Sequence, residues 1–110
     1  MPKPDKPISV KYKANQSPKI SYPGPDAGHV EVTEDSTITF SLASGSDACV
    51  LHNFTTNPVS ADFSIISGVD TTTLVVDDDD ADPGTYDYCI SVRLPDGTTI
   101  VSDPQIINKT

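Results

Sequence analysis

Apolar and polar residues alternate in short runs along most of the chain, the period of half-buried β-strands. Ile8, Val10 and Tyr12 alternate with Ser9, Lys11 and Lys13, which predicts a strand with a wet lysine face. A turn-rich stretch follows, with Pro18, Pro23, Gly24 and Pro25 around a short strand at residues 20–22. Val30 and Val32 form the next pair, and Ile38, Phe40 and Leu42 share one face after the polar break at residues 33–36. Beyond the Ser/Gly/Asp loop at 44–47, alternation weakens over 49–56 and stops at Asn57-Pro58. Phe63 and Ile65 resume it, Gly68 interrupts it, and 71–77 is a β-branched run around Leu74, Val75 and Val76.

The strongest signal places Tyr86, Tyr88, Ile90, Val92 and Leu94 on one face, with Asp87, Cys89, Ser91 and Arg93 on the other. Pro95-Asp96-Gly97 supplies a tight turn, residues 98–102 return as a hairpin, and 104–108 reads as a final edge strand. No window carries a 3.6-residue apolar period between helix caps. The expected fold is all-β: an antiparallel, two-sheet Greek-key sandwich of about 7–9 strands. Residues 1–7, with Pro2, Pro4 and Pro7, read as an extended arm, and 8–110 as a single domain. Val, Ile, Leu and Phe total 26 of 110 residues, enough for one core.

Charge narrows the partners. The net charge is -9, yet Lys3, Lys6, Lys11, Lys13 and Lys19 cluster in the first 19 residues against Asp5 alone. The rest contains only Arg93 and Lys109 as bases, which excludes a cationic surface for a phosphate backbone and hence nucleic acid as a partner. The lysine-rich segment either meets an acidic partner or lies on the domain's own negative surface. No apolar run approaches the roughly 18 residues of a membrane span. Residues 1–5 lack the hydrophobic stretch of a secretory signal, and the expectation is a soluble chain in an extracellular or periplasmic setting. Cys49 and Cys89 permit one disulfide, which would require an oxidising compartment; two free thiols suit a reducing one.

The segment Asp82-Pro83-Gly84-Thr85-Tyr86-Asp87-Tyr88-Cys89 resembles the Asp-x-Gly-x-Tyr motif that opens the sixth strand of immunoglobulin-like domains, with Asp82, Gly84 and Tyr86 in the matching places. That resemblance implies a structural corner at Tyr86, whose hydroxyl reaches back to backbone while its ring fills the core. It carries no activity. The family places its second Cys two residues after that Tyr, where this chain has Tyr88, and the chain has no Trp. Strict alternation then turns Cys89 out of the core, so a Cys49–Cys89 bridge would join neighbouring strands on an outer face.

Asp77, Asp78, Asp79, Asp80 and Asp82 put five carboxylates within six residues, a chemistry that Ca²⁺ satisfies, although the spacing is not that of an EF-hand. The alternative is a solvated acidic loop. His29, Cys49, His52 and Cys89 have the residue types of a blue-copper centre, but neither His nor Met follows Cys89. No Ser or Cys sits in a motif that supplies it with a base, and no catalytic residue is assigned. The leading function is a non-enzymatic module for protein binding, adhesion or structural assembly, as a monomer or an edge-paired homo-oligomer. The second is a calcium-dependent or carbohydrate-binding sandwich, with Tyr12 or Tyr22 as stacking rings for a glycan.

Overall fold

A computed structural model describes residues 4–24, 28–57, 59–79, 84–102 and 104–109. The strands are β1 (Asp5–Tyr12), β2 (Ile20–Ser21), β3 (Val30–Val32), β4 (Ser36–Leu42), β5 (Val50–Asn57), β6 (Phe63–Ser67), β7 (Thr73–Asp78), β8 (Gly84–Arg93), β9 (Thr99–Val101) and β10 (Gln105–Lys109). One five-stranded sheet has the order β2-β1-β4-β7-β6, and the other β3-β10-β8-β5 with β9 also paired to β8. The chain is a generic β-sandwich, and the likeness to immunoglobulin-like domains reaches no further than that architecture. Among the described residues no helix is long and apolar enough to cross a membrane.

Three expectations change. The sheets are mixed rather than antiparallel: β1 runs parallel to β4, with Asp5 opposite Thr37 and Val10 opposite Leu42, and β10 runs parallel to β3. Short turns had suggested neighbours in sequence, but these pairs join strands that the chain reaches by crossing between sheets.

The second change is at the N-terminus, where the strand begins at Asp5, inside the segment read as an arm. Thr37 N–H donates to the Pro4 carbonyl and Ala43 N–H to the Val10 carbonyl, so even-numbered residues of β1 face β4. Pro7 therefore turns its missing N–H outward, on a side that β2 covers only at Lys11 and Tyr12. The Asp5 carboxylate accepts from the hydroxyls of Thr37 (2.8 Å) and Thr39 (2.6 Å). The third change is that the last strand is not an edge: β10 lies between β3 and β8.

The core forms where the inward faces meet. Tyr88, Phe40, Ile38, Leu51, Leu74, Ile90 and Ile107 are fully buried. Tyr88 sits at the centre, its ring 5.5 Å from Phe40, 5.7 Å from Phe54 and 6.0 Å from Tyr22. Its hydroxyl donates to the Gly28 carbonyl, far upstream in sequence, and burial pushes its pKa well above the ordinary tyrosine value. Tyr22 donates to Ser102 Oγ at 2.8 Å, which also accepts the Ile90 N–H at 2.9 Å, so the buried polar atoms of this corner are served within the protein. Gly28 has φ +87°, and a Cβ there would lie 2.8 Å from the Tyr22 ring and 3.0 Å from the Tyr88 hydroxyl.

Tyr88→Phe retains the ring and leaves the Gly28 carbonyl without its donor; the expected loss is about 1–3 kcal/mol in urea denaturation. Tyr88→Ala opens a cavity as well and should lose about 3–5 kcal/mol.

Candidate functional site

Among the described residues the acidic run does not assemble a cation cage, because strand geometry separates Asp77, Asp78 and Asp79. β7 continues through Asp78, and alternation leaves Asp77 half-buried, sends Asp78 fully into the core and returns Asp79 to the surface. Among the described residues no group of three or more His, Cys, Asp or Glu side chains could hold a metal ion, which overturns the expectation of Ca²⁺. Asp80 and Asp82, and with Asp82 part of the proposed corner, lie outside the described residues. Gly84 opens β8 at φ +150°, and Tyr86 is buried edge-on against Phe63 at 5.2 Å. Each histidine pairs with a carboxylate: His29 Nε2 lies 2.7 Å from Glu31 Oε1, and His52 Nδ1 2.7 Å from Asp70 Oδ1. The hydrogen bond from His29 holds the Glu31 carboxyl below its usual range.

What the fold brings together instead is a buried ionic cluster. Lys109, on β10, is inaccessible to solvent at its side chain; its Nζ donates to Asp62 Oδ2 at 2.7 Å and lies 3.0 Å from Asp78 Oδ1. It also donates to the Asp79 carbonyl at 2.9 Å. Phe63 and Tyr86 place their rings 4.9 and 5.4 Å from the ammonium. Burial draws the Lys109 pKa down, but hydrogen bonds to Asp62 and Asp78 more than offset it and hold it above the ordinary lysine value. One cation and two carboxylates from three separate parts of the chain thus share a site walled by aromatic rings.

Sequence reasoning missed this cluster, although its signal was present. Lys109 is in phase with buried Ile107, and Asp78 with buried Leu74 and Val76, so period-two alternation carries both charged residues inward. Asp62 had no such signal, since it sits in the turn before β6.

Cys49 and Cys89 are not bridged to each other, and both are half-buried. Cys89 pairs across β5 with Thr55, whereas Val50 pairs with Arg93. Cys49 therefore lies near the far end of β8, about 17 Å from Cys89 at ordinary strand rise, well beyond the roughly 7 Å limit for a disulfide. Burial, aided by the negative charge of Asp47, pushes the Cys49 thiol pKa up. Asp47 itself is held low by the Ala14 N–H (2.8 Å) and by Lys13 (3.3 Å). Part of the lysine-rich segment thus lies on the domain's own acidic surface.

Two surface features bear on binding. Tyr12 and Tyr22 are buried, at 3% and 8% exposure, as are Tyr86 and Tyr88, so no tyrosine offers a face for a sugar. An open groove of about 350 Å³ runs between β5 and β6, lined by Phe54, Thr55, Thr56, Val59, Ser60, Phe63, Ser64 and Ile65. No protein-family model matches the chain, and a search of curated proteins finds no relative.

Cys49 should alkylate with iodoacetamide more slowly than an exposed thiol at pH 8, and Asp47→Asn should accelerate it by removing one of the two causes. The same variant tests linkage. Asp47 has a lowered folded pKa, so its contribution to stability is fully present above its unfolded pKa and fades as pH falls through the folded value; Asp47→Asn should flatten that part of the acid-side stability profile.

Proposed function

We propose that this domain is a non-enzymatic protein-binding and assembly module that seats an extended, apolar segment of a cationic partner in the groove between β5 and β6. The observation that carries this reading is Val59, a valine left 91% exposed at the rim of a groove whose lining, among the described residues, contains no charged side chain. A soluble surface seldom presents a large apolar side chain beside an apolar furrow without a use for it. The described acidic residues lie outside that lining in a chain of net charge -9, which favours a partner with Lys or Arg flanking its apolar residues.

Side-chain docking fits better than strand addition. β5 is irregular between Leu51 and Asn53, and β6 between Ile65 and Ser67. The Asn53 side chain also accepts the Phe54 N–H at 2.9 Å. Bulges and local caps of this kind blunt an edge against pairing with another strand, which favours a monomer over edge-paired copies. The reading needs no oxidising compartment, because it uses no disulfide, and so it holds in an extracellular, periplasmic or reducing setting alike.

The test uses a capped peptide of alternating Val and Lys, titrated into the isotope-labelled protein by NMR. Shift changes should concentrate at Phe54, Val59, Phe63 and Ile65, and Val59→Asp should weaken binding about 10-fold or more while changing stability by less than about 0.5 kcal/mol. Shifts scattered over the acidic surface, and abolished by salt, would sink the groove as the binding site.

A further inference from the structure

A buried ion cluster with one positive and two negative charges is a poor stabilising device, since taking each ion out of water opposes folding and hydrophobic residues of equal volume would serve as well. The same arrangement is favourable for a covalent reaction. Lys109 Nζ is held 2.7 Å from Asp62 Oδ2, with the Asp62 Cγ one C–O bond further on and Asp78 Oδ1 3.0 Å from the same nitrogen. The Phe63 and Tyr86 rings flank the ammonium, and its side chain is closed to solvent.

We propose that Lys109 and Asp62 condense into an intramolecular isopeptide bond, with Asp78 as the acid–base group. One Nζ proton passes to the Asp62 carboxylate, giving a neutral amine beside a carboxylic acid. Nζ attacks Cγ; Asp78 takes a second proton from the nitrogen and returns it to a hydroxyl on the tetrahedral carbon. The C–O bond breaks and that hydroxyl leaves as water. The ammonium and one carboxylate are thereby converted to one amide and one water, with no oxidant, reductant or further reactant.

Three observations favour this course. Positioning replaces a bimolecular encounter, and effective molarities for well-oriented groups reach about 10⁵–10⁸ M. The reaction removes one buried charge of each sign and leaves the Asp78 carboxylate to accept the new amide N–H. Asp62 is the acceptor rather than Asp78 because its side chain is 8% exposed against 0%, which gives the departing water a way out. The product would tie β10 of one sheet to the turn preceding β6 of the other.

Intact mass spectrometry of the folded full chain tests the proposal. The wild type should be one water lighter than its sequence, and proteolysis with tandem mass spectrometry should recover a branched fragment joining Lys109 to Asp62. Lys109→Arg keeps the charge but cannot form this amide, and should have its full sequence mass. Should that variant not fold, Asp62→Asn supplies an independent check: attack on its carboxamide expels ammonia and gives the same cross-linked product. Asp78→Asn should leave most of the folded chain uncross-linked. A folded wild type at full sequence mass overturns the proposal. So does a water loss without a branched fragment, which denotes a cyclic imide, or a branch that maps to Asp78.

Discussion

Tyr88 puts an aromatic ring in the space where the inner faces of the two sheets meet, and its hydroxyl must find a partner there without water. Phe40, Phe54 and Tyr22 surround the ring, and the Gly28 carbonyl takes the hydroxyl proton. This arrangement fixes the facing of all of β8. With Tyr86, Tyr88, Ile90 and Val92 inward, Cys89 is displaced from the centre and remains a half-buried thiol. An immunoglobulin-like domain clamps its sheets at that place with a disulfide; here an aromatic cluster and one buried hydrogen bond occupy it.

Much of the architecture was legible because alternation is a local signal. The runs at 8–13, 38–42 and 86–94 each correspond to a strand, and even the short element at 20–22 is present. Beyond the β8–β9 hairpin, pairing partners were not legible, since nothing within Asp5–Val10 indicates that it will lie parallel to Thr37–Leu42 rather than against its sequence neighbour. The tyrosines show a different limit: Tyr12 and Tyr22 were read as exposed, but β2 closes over the end of β1 and takes both rings into the core. Lys109 and Asp78 were misread for a third reason. The expected strands stop at 77 and 108, one residue short of each, so neither was assigned to an inward face.

The ionic distribution divides into two regimes with different physics. Lys13 and Asp47 meet at the surface, where water and salt screen them and each can exchange partners. Lys109, Asp62 and Asp78 meet where neither screening nor exchange is available, so their geometry is as determined as that of the aliphatic core around them. The acidic run spans both regimes. Asp78 belongs to the interior and Asp79 to the surface, although they are adjacent in the chain.

The place of β10 between β3 and β8 bears on the order in which the protein can be made. Among the described residues β3 has its sheet partner only in β10, a strand ending 77 residues later, at Lys109 opposite Val32. During translation the first sheet can assemble once β7 has emerged, while the second keeps a vacant slot until residue 109 has left the ribosome. The nascent chain therefore carries an unfilled gap between two hydrogen-bonding strands from the emergence of β8 until β10 arrives, and closing it is the last step in acquiring the native sheet.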